Sequence, residues 1–259
     1  MGLCGNSDEV GRGSQMLNII TVYRFGSLEE LDLTVSSMLT QVDKGFKVLF
    51  VLSNANEKHV HWLTQRLQDQ ISYKSIVNED NSLYNAMNIA LRLIEDGTIY
   101  FLNGGDAFYN SRSVSVINQI DVRNQPALFA TLQSYKSQYY LRRPSQKFPA
   151  HQGFVVSREL IGSLEFNESL SIAADHYWMT HILSKHGCLT SAEVISQFTL
   201  GGISNYPSRK SVYARFKTQG IFRASKELLK VALLTVLGAS LYYRLILGAP
   251  VKVNFLKDA

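Results

Sequence analysis

The sequence predicts an α/β protein: a mixed, mainly parallel sheet flanked by helices, with a helical appendage at its C-terminal end. Three observations carry that expectation. Short apolar runs rich in β-branched and aromatic residues alternate with segments of helical apolar spacing, the pattern of strands joined by crossover helices. The chain has 259 residues, 46% of them hydrophobic, enough to bury a full core in one large domain. Its basic residues concentrate after residue 208, beside a long apolar run.

"NIITVY" (Asn18 to Tyr23) reads as the first buried strand, and Leu28, Leu31, Val35, Met38 and Leu39 then recur at helical spacing. "FKVLFVLS" (Phe46 to Ser53) is the second strand, followed by a helix from about Glu57 to Gln68 and by "YKSIV" (Tyr73 to Val77) as the third. In "DNSLYNAMNIALRLIEDG" the residues Leu83, Met87, Ala90, Leu91 and Ile94 form a core stripe. Asn81, Asn85, Asn88 and Arg92 share another face. Helices usually turn charges rather than a row of amides to water, so this row is either local capping and solvated surface or a ligand-facing set that includes Asn85. "TIYFLN" (Thr98 to Asn103) is a fourth strand and ends in "NGGD". Ser111 to Pro149 is less regular, with mixed or antiparallel strands in "PALFATLQSY" and "YYLRRP". "AHQGFVVSRELI" adds a strand and a short helix. "SIAADHYWMTHILSKHG" reads as a helix with Asp175 in its first turn and apolar contacts from Tyr177, Trp178, Ile182 and Leu183.

Residues 1–15 are polar and glycine-rich and lead to a second methionine, Met16; they read as a tag or disordered tail, with no secretory signal. Residues 16–208 form the expected catalytic domain and 209–259 a basic, apolar helical tail. Cys4 and Cys188 form no CxxC pair or metal-ligand cluster, which suits a reducing compartment. The tail holds ten Lys or Arg against two acidic residues, so the net charge of +5 is a property of the tail and argues against a nucleic-acid partner. In "VALLTVLGASLYYRLILGAP", Arg244 lies inside the apolar run and Gly238 interrupts it. An in-plane or packed helix fits better than a membrane span, with the basic stretch facing anionic headgroups. Packing against the catalytic domain or on a second copy, giving a homo-oligomer, is the alternative.

In an open parallel sheet ligands bind beyond the carboxyl ends of the strands, where "NGGD" delivers Asp106. Asp80 precedes a helix, His151 follows a proline by two residues, and Asp175 starts a helix; a sheet-based fold can bring these together. If the ligand is a nucleoside-diphosphate sugar, a hard cation held by Asp106, with Asn103 adding a neutral oxygen, would stabilise the leaving diphosphate. A second carboxylate must then take the acceptor proton. Asp175 is the candidate base, with His151 or His176 as alternatives. No GxGxxG follows a strand, which argues against dinucleotide binding.

"NIITVY", "EDNSLYNAMNIALRL", "TIYFLNGGDAFYN", "PAHQGFVVS", "SIAADHYWM" and "FTLGGIS" stand in the order and rough spacing of family 2 inverting glycosyltransferases. The chain resembles their bacterial colanic-acid, capsule and O-antigen branch over roughly Leu17 to Ser204. The resemblance implies a GT-A, Rossmann-like fold and transfer from a nucleotide-sugar donor, usually UDP-linked, with inversion. It places Thr21 and Tyr23 beside the nucleotide, Asp80 near base and ribose, and Asn103 and Asp106 on the element that replaces the family's DxD. Asp106 would hold Mg²⁺ or Mn²⁺, Asp175 would be the catalytic base and His151 an active-site histidine. It further implies a lipid-linked or polysaccharide acceptor and peripheral attachment to the cytoplasmic face of the bacterial plasma membrane.

Two departures bear on the donor. The family's acidic motif after the second strand is here "LSNANEKH". Leu52 offers the base no acceptor, so Ser53 or Asn54 must substitute, or the donor differs or binds weakly. The usual "AMNKG" is "AMNIA", with Ile89 and Ala90 in place of a basic residue and a glycine. A catalytically weak nucleotide-sugar-binding scaffold and a nucleotidyltransferase are the alternatives.

Overall fold

The computed structural model describes residues 15–80, 82–170, 172–200 and 207–253. Its first half is a parallel α/β unit. Strands β1 (Leu17–Arg24), β2 (Phe46–Ser53) and β3 (Ser72–Asn78) are joined by helices α1 (Leu28–Leu39) and α2 (Glu57–Leu67). Helix α3 (Leu83–Leu93) then leads to β4 (Thr98–Phe101). β1 pairs in parallel with β2 and β4, and β2 with β3; the register sets Arg24 opposite Ser53 and Ser53 opposite Asn78. Three strands therefore end side by side, and the loops they deliver form one edge.

The second half is more mixed. β5 (Ala107–Phe108) and α4 (Ser113–Asn118) precede a hairpin of β6 (Ala127–Tyr135) and β7 (Gln138–Arg142). A 3₁₀ turn, His151–Gly153, leads into β8 (Phe154–Ser157) and α5 (Arg158–Ile161). Helix α6 (Ala174–His186) and β9 (Leu189–Thr199) complete the sheet, in the order β3-β2-β1-β4-β8-β6-β9-β5 with β7 on β6. β6 meets β8 antiparallel at its start and β9 in parallel along its length. Register shifts at Phe129 to Thr131 let it change neighbours.

The alternation of side chains gives each face its own core. Leu17, Ile19, Phe50 and Leu52 pack with Leu31, Val35 and Met38 of α1 and Leu63 and Leu67 of α2. On the other face Ile20, Val22, Val51 and Phe101 pack with Met87 and Leu91 of α3 and Trp178 and Ile182 of α6. Two expected core contributors lie outside it: Leu83 is 45% exposed and Tyr177 39%, because each sits on the outward side of its helix near the N-terminal end. Among the described residues the amides of the row, Asn85 and Asn88, are bound within the protein. Asn88 is buried, accepts from Phe166 N at 2.7 Å and donates to Phe166 O at 3.0 Å, while Asn85 and Asn88 both donate to Glu168. Arg92 closes the row with a bidentate pair to Glu165. The amides tether the strand-like segment that leads into α6. Asn81 lies outside the described residues, as do Cys4, residues 1–14 and Gly201 to Ser204 of "FTLGGIS".

The tail forms α7 (Arg209–Gln219) and α8 (Ile221–Leu247), separated at Gly220 and bent at Gly238, whose φ of 70° interrupts the helix as its position in the apolar run suggests. Glu227 is buried between them and accepts from Ser211, Arg215 and Lys230. Beyond Gly238, Tyr242 and Tyr243 pack with Tyr140 and Phe198 of the sheet, while α8 leaves much of its apolar surface outward.

Candidate active site

"LNGGD" is folded by close approach. A Cβ on Gly104 would lie 2.1 Å from Tyr23 Cδ2, so only glycine lets the turn cross the ring, and Gly105 takes a φ of 92°. Tyr23 cannot yield: it is buried, and its hydroxyl donates to Ser27 O at 2.6 Å and accepts from Ser27 N at 2.9 Å. Thr34 of α1 ties the turn from below, accepting from Gly105 N and donating to Asp106 O at 2.7 Å. The carboxylate of Asp106 meets Gln152 Nε2 at 3.2 Å. Burial pushes the Asp106 carboxyl up to about 7, against the partial opposition of the Gln152 hydrogen bond.

Gln152 belongs to the 3₁₀ turn, whose carbonyl accepts from Tyr100 at 2.9 Å and Ser196 at 2.6 Å. Its neighbour His151 joins the two halves of the site. Asn103 Nδ2 donates to His151 Nε2 at 3.4 Å, which leaves the imidazole proton on Nδ1, facing Asp175 Oδ2 at 4.0 Å. Burial holds His151 below the ordinary histidine range, with the Asp175 charge opposing it. Asp175 stands in the first turn of α6, beside the positive end of the helix dipole, and accepts from the Tyr84 hydroxyl at 3.3 Å. Arg142, at the end of β7, donates to Phe148 O and Pro149 O and lies close enough to feel the Asp175 charge. Short contacts thus connect Asn103 to His151, His151 to Asp175, and Asp106 to Gln152, the neighbour of His151, close to the carboxyl end of β4.

The remaining predicted residues sit along the same edge. Thr21 is fully buried within β1, its hydroxyl without a hydrogen-bond partner. Ser53 is buried and donates to Asp80 O at 2.9 Å, which holds the loop after β3 to the end of β2. Asn54 is exposed with a φ of 57°, its amide 3.5 Å from Phe25 O. Asp80 is exposed, and its side chain accepts from Ser82 N. Asn85 is engaged with Glu168 and Asn78. Leu52 is entirely buried, so the departure at that position lies in the core. Thr34, Gln152, Arg142 and Tyr84 are the site residues that sequence reasoning passed over; "HQ" and "SLYN" adjoin named positions and are their one visible signal.

The donor set fits a hard divalent cation of a particular kind. Asn103 Oδ1 is buried without a hydrogen-bond partner, beside a carboxylate that burial makes costly to ionise. Among the described residues no three His, Cys, Asp or Glu gather into a metal cage. One carboxylate and one amide oxygen suit an ion that draws most of its ligands from phosphates and water.

Neither a protein-family model nor a curated protein sequence matches the chain. Solved structures do. S. aureus TarS superposes with a TM-score of 0.61 at 12% identity, over 85% of this chain and 40% of that one. The fold is GT-A. TarS 1-349 in complex with UDP-GlcNAc gives 0.61 at 12% identity, over 93% and 77% of the two chains. The mannosyltransferase PcManGT from Pyrobaculum calidifontis, in complex with GDP-Man and Mn²⁺, gives 0.60 at 10% identity, over 90% and 78%. In GT-A terms β1 to β4 form the Rossmann-like half of the sheet.

Proposed function

We propose that this protein is an inverting glycosyltransferase that moves a sugar from a nucleoside-diphosphate donor, UDP-linked as the first expectation, to a hydroxyl of a lipid-linked saccharide or growing polysaccharide. The observation that carries the proposal is that the adjacent residues His151 and Gln152 face the two carboxylates, Gln152 bonding Asp106 and His151 standing 4.0 Å from Asp175. The GT-A neighbours solved with UDP-GlcNAc and GDP-Man support the donor class.

Transfer is then a single displacement. Asp175 takes the acceptor proton as that oxygen attacks the anomeric carbon, and the bond to the diphosphate oxygen breaks on the opposite face. His151, held neutral by burial, stands between Asn103 and Asp175. Asp106 and Asn103 would hold Mg²⁺ or Mn²⁺, which when bound supplies positive charge to the departing diphosphate. Thr21, Tyr23 and Ser53 shape the nucleotide end, and Asn54 and Asp80, both exposed, meet base and ribose. With Leu52 buried, hydrogen bonding to the base falls to the Asn54 amide.

The tail supplies the proposed location. Phe222, Leu229, Val236, Leu241 and Leu245 are exposed along α8, and the one acidic residue described there, Glu227, is buried and paired. An apolar stripe with outward positive charge suits the anionic cytoplasmic face of a bacterial plasma membrane, where a lipid-linked acceptor for surface polysaccharide would lie. Leu229→Glu with Val236→Glu should release the protein from phosphatidylglycerol vesicles in a flotation assay; unchanged flotation would reject this location.

Asp175→Asn tests the chemistry. It should lower transfer by about 10²–10⁴-fold with donor affinity in calorimetry unchanged, and full turnover would reject the assignment. Products are read in the same assay, since a nucleotidyltransferase releases pyrophosphate rather than a nucleoside diphosphate.

A further inference from the structure

Helix α6 begins without a cap of its own. Its N-cap residue, Ala173, makes no side-chain hydrogen bond and adopts φ 72° and ψ 13°, the left-handed region that a residue with a Cβ rarely enters. Such strain persists where the surroundings impose it. What imposes it here comes from another helix. The Tyr84 hydroxyl accepts from Ala174 N, the first N–H of the helix, at 3.2 Å and turns its proton onto Asp175 Oδ1 at 3.3 Å. The ring is buried and stacked on Phe166 at 5.9 Å, and Phe166 is in turn fixed through both backbone groups by Asn88 of the same helix as Tyr84.

We infer that Tyr84 is a positioning residue for Asp175: one hydroxyl caps α6 from outside and sets the carboxylate orientation needed to receive the acceptor proton. This rests on Asp175 being the base. The other groups facing that carboxylate leave the task to Tyr84. His151 Nδ1 is 4.0 Å away, beyond hydrogen-bonding reach, and Arg142 is committed to two carbonyls. A phenol is a suitable tether because burial and the nearby charge push its own ionisation upward, so it stays a donor at neutral pH.

Tyr84→Phe keeps the ring stack and removes the hydroxyl. With the purified full chain, a donor and its acceptor, kcat should fall about 10- to 100-fold, the scale of a hydrogen bond to a charged group, while donor KM stays within about twofold. Phe166→Leu is the control: it loosens the same packing without touching the hydroxyl, so it should lower Tm yet retain kcat. Equal loss of kcat in both variants, or wild-type kcat in Tyr84→Phe, overturns the inference. Should Tyr84→Phe fold poorly, adding Ala173→Gly relieves the left-handed strain, and the same comparison is made on the double variant. Failure of the underlying base assignment looks different: Asp175→Asn would then itself retain turnover.

Discussion

The two carboxylates of the candidate site are held in opposite ways. Asp106 lies in a turn whose partners are neutral: Thr34, Gln152 and the glycine backbone. Asp175 begins a helix and faces a phenol, an imidazole and a guanidinium. A carboxylate surrounded by neutral groups and partly removed from water lacks positive charge, and a cation arriving with a diphosphate would provide it. A carboxylate at a helix N-terminus, with a donor fixed on one oxygen, is held in one orientation, which the proposed base requires. The difference supports the proposed division of roles between the two residues.

The comparison breaks most visibly in kinetics. Asp106→Ala should lower transfer by about 10²-fold or more and abolish the Mn²⁺ dependence of donor binding in calorimetry, whereas Asp175→Asn should leave that dependence in place. If both variants lose donor binding alike, the two sites are not functionally distinct.

A smaller but clear effect is expected from the turn itself. Gly104→Ala drives a methyl into a Tyr23 ring that is buried and anchored through its hydroxyl, and overpacking of this kind costs about 1–3 kcal/mol. Thermal or urea unfolding measures it. No change in stability would mean that the turn can shift, and that Asp106 is less firmly placed than Asp175. On the other side, Asn88→Ala removes the buried amide that pairs with both backbone groups of Phe166, at a cost of about 1–3 kcal/mol. Like Phe166→Leu, it should leave kcat near the wild-type value, because the Tyr84 hydroxyl on Asp175 is untouched.

Much of the parallel half was legible because its signals are local. Leu28–Leu39 and Phe46–Ser53 emerge at the bounds their apolar patterns imply, since each buries one stripe or both faces within its own length. Strand β9 was not legible. "LTSAEVISQFT" is largely exposed in its first half and is strand because β6 pairs with it across a register shift, a fact of tertiary structure. Helix α4 was missed for a related reason: it is short and has no side-chain cap. The amide row stood out as unusual, but its target, Phe166 and Glu168, lies about 80 residues further along the chain. The site divides in the same manner. Asp106 and Asp175 are marked by strand-end and helix-start patterns, whereas Thr34, Gln152 and Tyr84 acquire their roles through hydrogen bonds spanning 46 to 91 residues.

The finest test concerns the charge state of Asp106. Its carboxyl is pushed up to about 7 from an ordinary 3.8, so between those values the folded chain binds more protons at this group than the unfolded chain does. The slope of stability with pH takes the sign of unfolded minus folded proton binding, which is negative here. The contribution of this residue is therefore fully present below about pH 4 and is lost as pH rises through 7. Asp106→Asn, which cannot ionise, should match the wild type in Tm at about pH 3.5 and exceed it increasingly up to about pH 7.5, in buffer containing EDTA. Adding Mn²⁺ and a nucleoside diphosphate at pH 7.5 should raise the wild-type Tm more than that of the variant, because ligands that bind only the folded state stabilise it in proportion to occupancy. A gap independent of pH would mean that burial does not hold the Asp106 carboxyl against ionisation, and the contrast drawn from its neutral surroundings would disappear.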